Sequence, residues 1–310
     1  MCYTEKRVSR LRRNTYICSM AHKAGFVSII GKPNAGKSTL MNAMVGEKMS
    51  VITPKAQTTR HRILGIVNEP GIQIVFSDTP GIIEPRYGLQ KSMMSSVNES
   101  LTDADVILLV TDVNERHDET QVIEKLKRVD TPLAVLVNKA DTSNEATLKQ
   151  KVLYWQQTLE PKAVFVISAL VGYNVQAVYD FIKENLPEHP PYYEEDELTD
   201  RNERFFVAEI LRGKIFEHCH KEIPYSTEVV INSYKEEPHI NRISAEIITE
   251  RDTQKSIIIG KNGELLKKIA TAARLEMEEF LQKKVFLEVY VKVIKDWRNR
   301  ENYLKQFGYQ

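Results

Sequence analysis

The 310-residue sequence predicts an α/β domain, doubly wound about a mostly parallel sheet with one antiparallel edge strand, followed by a smaller α+β domain. Three observations predict it. From Phe26 to Leu186, short β-rich runs alternate with segments of helical period. "NEPG", Asn68 to Gly71, is turn chemistry between two neighbouring runs, which calls for a hairpin inside an otherwise parallel order. Beyond "PEHPPYYEEDELTD", rich in proline and acid, the order changes to helix, strand, strand, helix, strand and a short terminal helix.

In chain order, the first domain has strands expected at residues 26–30, 63–68, 72–77, 106–111, 133–137 and 164–168. Its helices begin near Lys37, Tyr87, Asp118, Thr147 and Val175. In the second domain a helix spans 203–222, strands cover 227–234 and 240–249 around the turn "KEEPH", a helix spans 264–282, a strand 285–293 and a last helix 297–307. The domain limits are then 1–24 for a basic tail, 25–186, a linker at 187–202, and 203–310.

Composition excludes several classes. Apolar residues at 42% and charged residues at 27% allow a buried core and argue against bulk disorder. Cys2, Cys18 and Cys219 have neither metal-type nor redox-type spacing, which points to a reducing cytosol and no zinc site. No apolar run approaches the ~18 residues of a membrane span, and the basic N-terminus lacks the apolar stretch of a secretory signal. Met20 opens "MAHKAGF" just ahead of the first strand, so translation starts at either Met1 or Met20. Trp155 and Trp297 read as packing residues.

"GKPNAGKST", Gly31 to Thr39, satisfies G-x-x-x-x-G-K-[ST] between a strand and a helix. In that setting the backbone of Gly31, Lys32, Pro33, Asn34, Ala35 and Gly36 wraps a polyphosphate, Lys37 reaches its outer groups, and the Ser38 hydroxyl ligates Mg²⁺, with Thr39 following. "DTPG", Asp78 to Gly81, closes a strand; Asp78 is expected to hold Mg²⁺ through water, and the Gly81 amide to meet the γ-phosphate, with Thr79, Pro80 and Ile82 alongside.

The base is read elsewhere. In "NKAD", the Asp141 carboxylate accepts from the N1–H and exocyclic amine of guanine, donors that adenine lacks there, so GTP is preferred over ATP. Asn138 braces the loops and the Lys139 stem covers the base. In "SAL", the Ala169 amide between Ser168 and Leu170 is expected to meet guanine O6. Four motifs in GTPase order make this a P-loop GTPase domain, binding GTP or GDP with Mg²⁺.

From about Met20 onward the chain resembles the Era family of bacterial GTPases with a KH domain. "KAQTTRHRI" is similar to that family's effector segment, which implies a switch over Gln57, Thr58, Thr59, Arg60 and His61, with one of Thr58 and Thr59, preferably Thr59, on Mg²⁺. Ile82 stands where many small GTPases have a glutamine that orients water, so hydrolysis is expected to be slow; Lys37, Asn34, Thr59 and Gly81 carry what catalysis there is. By the resemblance, Asn34 helps to hold a monovalent cation, which implies K⁺ stimulation.

"IIIGKNGELLKKI" places G-x-x-G before a basic amphipathic helix, which in KH domains clamps single-stranded RNA. Ile259, Gly260, Lys261, Asn262, Gly263, Lys267 and Lys268 are the expected contacts, with residues 257–259 flooring a base groove. From the residues alone that apolar run reads as a strand; the type II KH resemblance makes it a short helix. The last 50 residues hold 11 Lys or Arg against 7 Asp or Glu, so base contacts should supply much of the specificity.

The resemblance implies a monomeric, cytoplasmic GTP-switched factor that binds small-subunit rRNA near its 3′ end, assists small ribosomal subunit maturation and touches the inner membrane peripherally. An RNA-binding module with a nearly inert nucleotide sensor and a membrane-surface regulator are the rival readings.

Overall fold

The computed structural model describes residues 22–53, 55–115 and 120–309. Most of the basic tail and the helix start at Asp118 fall outside the described residues. The first sheet has β1 (Lys23–Ile30), β2 (Ile63–Glu69), β3 (Ile72–Asp78), β4 (Val106–Asp112), β5 (Leu133–Asn138) and β6 (Ala163–Val166), ordered β2-β3-β1-β4-β5-β6. All neighbours are parallel except β2 and β3, paired from Ile63↔Asp78 to Glu69↔Ile72, which makes β2 the antiparallel edge. The hairpin at Asn68–Gly71 is present.

Alternation along the strands feeds two cores. Leu108 and Leu136 face α1 (Lys37–Val45) and α5 (Val175–Asn185), meeting Leu40, Val178 and Ile182. Ile107, Leu109, Val135 and Val137 face the other way, toward Val97 of α2 (Gly88–Thr102), Leu126 of α3 (Thr120–Leu126) and Trp155 of α4 (Glu145–Leu159). β6 opens one residue earlier and closes two earlier than expected, at Ala163 and Val166; Ile167 N–H still donates to Val137 O at 2.9 Å, and Ser168 bridges to Tyr173. The proline-rich segment is not a free tether. It runs along the sheet, with Ile66 N–H donating to Leu198 O at 2.8 Å and the Gln73 side chain accepting from both Tyr192 and Tyr193 amides.

The second domain runs α6 (Glu203–His218), β7 (Glu228–Glu236), β8 (Ile240–Thr249), α7 (Asp252–Ile259), α8 (Glu264–Leu281), β9 (Lys284–Val293) and α9 (Glu301–Gln306). Its sheet is ordered β7-β8-β9, antiparallel and then parallel. This helix–strand–strand–helix–helix–strand order is that of a KH domain. Helix α6 stops earlier than expected, because Cys219 turns extended and Pro224 opens a tight turn. Residues 257–259 are helical, so the strand reading is overturned and the helix implied by the resemblance holds. Gln254 caps the Arg251 backbone and Gly260 ends α7, boundaries that an apolar run alone does not reveal.

A further apolar cluster joins the domains: Leu89 and Met93 of α2 pack with Trp297, Leu304 and Tyr309 from the end of the chain. Trp297 is fully buried and its Nε1 donates to Ser226 O at 3.1 Å; Trp155 is buried as well. Among the described residues, no helix is long and apolar enough to cross a membrane.

Candidate functional site

Loop 31–36 links β1 to α1 and rims a cavity of about 450 Å³, bordered by Pro33, Lys37, Thr39, Gln57, Thr59 and Gly81. Gly36, with φ 98°, sits in the left-handed region, and a Cβ there would lie 2.2 Å from Asn138 Nδ2. Lys37 is buried, and its Nζ donates to Lys32 O at 2.8 Å. Burial lowers its pKa to about 8, although Asp78 and Glu115 favour the charge. A lysine this desolvated gains from an anion in the cavity.

Asp78 ends β3 and is fully buried, which raises its pKa although Lys37 and two hydroxyls oppose the shift. Its Oδ2 accepts from Ser38 at 2.7 Å and Ser50 at 2.9 Å, while Oδ1 is buried without a hydrogen-bond partner. Ser38 Oγ lies 3.0 Å from Thr59 Oγ1. Two hydroxyls and an orphaned carboxylate oxygen form a hard oxygen set, the chemistry that Mg²⁺ takes. Thr58 turns away: its hydroxyl donates to Lys55 O at 2.8 Å and meets Thr53 Oγ1 at 2.6 Å. Of the two threonines, Thr59 therefore shares the site with Ser38.

Asn138, buried at the end of β5, ties three loops together. Its Nδ2 donates to Ala35 O at 2.8 Å, and its Oδ1 accepts from Ala169 N–H at 2.9 Å. The second bond places the Ala169 amide, which the sequence assigns to guanine O6, beside the asparagine that braces the base-binding loop. Asp141 is exposed and accepts from Ser168 Oγ at 2.5 Å. Lys139, left-handed at φ 64°, pairs with Asp112 at 2.7 Å, and Leu170 is exposed.

The DTPG segment folds onto the phosphate loop. Thr79 Oγ1 donates to Ile29 O at 2.8 Å and Ile82 N–H to Gly31 O at 3.0 Å, while Gly81, next to Pro80, abuts Pro33. The Ile82 side chain is buried with Ile30 and Val97. Asn34 is exposed on the lip.

The second site lies in the KH domain. Gly260, with φ 72° and ψ 178°, occupies a region essentially confined to glycine, and a Cβ there would stand 2.8 Å from Leu265 Cβ. Lys261, Asn262 and Gly263 form a single tight turn into α8, on which Lys267 and Lys268 are exposed. Of the apolar run before this loop, Ile258 is fully buried, Ile257 is 51% exposed and Ile259 is half-buried.

Sequence reasoning missed Ser50, the second donor to Asp78, and Asp112, the partner of Lys139. Neither belongs to a motif. It also missed how closely residues 55–62 bind the second domain. Arg60 is buried, with Nη1 donating to Thr227 O at 2.7 Å and Glu228 Oε2 at 3.1 Å, and Nη2 to Pro224 O at 2.9 Å. His61 stacks on Tyr309 with ring centroids 4.3 Å apart.

The 50S ribosome-binding GTPase family matches residues 26–139, and the KH domain family matches residues 222–298. The chain is 42% identical to GTPase Era of Syntrophus aciditrophicus over 302 residues, covering 96% of this chain and 99% of that one. It is also 42% identical to chloroplastic GTPase ERA1 of Zea mays, over 95% of this chain and 72% of that one. Among solved structures it resembles Era in complex with MgGDPNP and nucleotides 1506–1542 of 16S ribosomal RNA, at 41% identity, TM-score 0.89 and coverage of 93% and 99%. An Aquifex aeolicus Era variant bound to GDP·AlF4⁻ matches at TM-score 0.88 and 41% identity. With a phosphate-loop domain and a KH domain in that order and near-complete coverage on both sides, the chain belongs to the Era family of GTPases.

Proposed function

We propose that this chain is a GTP-hydrolysing switch that binds small-subunit rRNA near its 3′ end and assists maturation of the small ribosomal subunit. The observation that carries the reading is the 93% overlap with an Era structure that holds both MgGDPNP and 16S rRNA. In this reading Gly31–Thr39 wraps the phosphates, and Ser38, Thr59 and Asp78 would hold a Mg²⁺ ion, which when bound would supply positive charge against the phosphates. Asp141 reads guanine while Asn138 and Lys139 fix its loop. Lys261, Lys267 and Lys268 meet RNA phosphates around the Gly260–Gly263 loop.

Ile82, apolar and buried, offers no group to orient water, which supports slow intrinsic turnover. Lys37 stabilises charge on the outer phosphates, the Gly81 amide meets the γ-phosphate, and Asn34 would help to hold a monovalent cation. Turnover of GTP by the purified chain, with and without the single-stranded 3′ end of small-subunit rRNA, tests the reading; absent hydrolysis in both would favour an inert sensor. The membrane-surface alternative draws on the basic termini and the family resemblance, and most of the basic N-terminal tail lies outside the described residues.

A further inference from the structure

We infer that Arg212, on helix α6 of the KH domain, is a positioning residue for the GTPase metal site: it holds the Thr58 carbonyl and so fixes Thr59 against Ser38. The inference rests on the function proposed above. Arg212 is 1% exposed; its Nε donates to Glu209 Oε1 at 2.7 Å, and its Nη2 donates to Thr58 O at 2.5 Å while also reaching Glu209 Oε2. The guanidinium lies 5.5 Å from the centre of the Phe216 ring, and that of Arg60 lies 5.8 Å from it. The fork of Arg212 thus spans a carboxylate in its own domain and a backbone carbonyl in the other.

Residues on both sides of Thr59 are fastened to the KH domain. Thr58 is held by Arg212, and Arg60 reaches Pro224, Thr227 and Glu228. Further along, Lys55 Nζ donates to Phe216 O and Cys219 O, carbonyls at the open end of α6. Val51 packs where Gly213 has no side chain: a Cβ on Gly213 would lie 2.7 Å from Val51 Cγ1. Among the described residues of the first domain, Thr53, Lys55 and Thr58 join one another in a local turn. A loop so placed loses much conformational entropy when it adopts one geometry, and α6 supplies the contacts that offset the loss. Linkage then requires the reverse effect: whatever moves α6 moves Thr59.

Two full-length variants test this by different routes. Arg212→Lys keeps a charge beside Glu209, but one ammonium does not span both Glu209 and Thr58 O. Gly213→Ala raises helix propensity while pushing Val51 away. Calorimetry measures affinity for a non-hydrolysable GTP analogue and for GDP across a Mg²⁺ titration, and hydrogen exchange follows residues 55–62. The inference predicts that the preference for analogue over GDP falls about tenfold in Arg212→Lys, the loss of one charge-assisted hydrogen bond, and falls in the same direction in Gly213→Ala through the displaced Val51. Half-saturation by Mg²⁺ should rise with it and exchange at 55–62 quicken, with GDP affinity within about twofold of wild type. Unchanged preference and Mg²⁺ dependence in both variants overturn the inference. So does an equal loss of analogue and GDP, which marks a merely structural role. A wild-type chain that binds no guanine nucleotide sinks the parent reading instead, and is distinguished because it precedes any mutation.

Discussion

The Ser168 hydroxyl donates to the Asp141 carboxylate across 2.5 Å, so one loop aims the acceptor carried by another. Asp141→Asn exchanges an acceptor for a donor at that point. GTP affinity should fall by about 100-fold or more, and xanthosine triphosphate, with an oxygen in place of the amine, should gain. Competition binding with the two nucleotides checks it; undiminished GTP preference would remove Asp141 from base reading.

Asn34 is exposed at the lip of the cavity, while Ile82 is buried beside the loop where a water-orienting side chain is absent. GTP turnover should be faster in potassium than in sodium buffer. Asn34→Ala should abolish that difference while GDP affinity stays within about threefold, the loss of one exposed hydrogen bond. Equal rates in both salts for the wild-type chain would remove Asn34 from the catalytic role.

In the KH domain, Gly260 and Lys261 make separable predictions. Gly260→Ala places a methyl group against Leu265 and strains φ 72°, so RNA binding should drop at every salt concentration. Lys261→Ala should cost a single phosphate contact, lowering the slope of log affinity against log salt by about 0.7. Fluorescence anisotropy with a single-stranded oligonucleotide over a salt series reads both.

Cys219, at the end of α6, is buried, and burial pushes its thiol up to about 11 although Lys55 opposes the shift. Because the folded value lies above that of a free thiol, unfolded chains release this proton first as pH rises past 9. Stability should therefore decline between pH 9 and 11, by on the order of 2 kcal/mol from this group, and Cys219→Ala should flatten the decline. Alkylation of a Cys2→Ser/Cys18→Ser chain should be slow at pH 8 and quicken about tenfold per pH unit. Thermal melts and the alkylation rate check the two statements.

How much of this was legible in the sequence depends on the distance over which each feature is encoded. Gly31–Thr39, Asp78–Gly81 and Asn138–Asp141 are contiguous, their chemistry is largely backbone chemistry at strand ends, and a linear reading finds them. The "NEPG" hairpin and the apolar runs of β4 and β5 are local too. The bond between Arg212 and Thr58 spans 154 positions and appears in no local pattern. Residues 257–259 are apolar whether strand or helix, and the Gln254 cap that decides between them carries no apolar signal. The bond between the Ala169 amide and Asn138 Oδ1 spans 31 positions and is likewise absent from any local pattern. The hydrogen bonds that lay the proline-rich linker along the sheet, such as those from Tyr192 and Tyr193 to Gln73, join residues over a hundred positions apart and leave no local pattern.

The central claim is that residues 55–62 carry nucleotide state into RNA grip. Its most direct test is the affinity of the full chain for the single-stranded 3′ end of small-subunit rRNA, measured with Mg²⁺ and either a GTP analogue or GDP. Because Thr59 meets Ser38 while its neighbours Thr58 and Arg60 are fastened to the KH domain, the account predicts at least about fivefold tighter binding with the analogue. Identical affinities in the two states would contradict it.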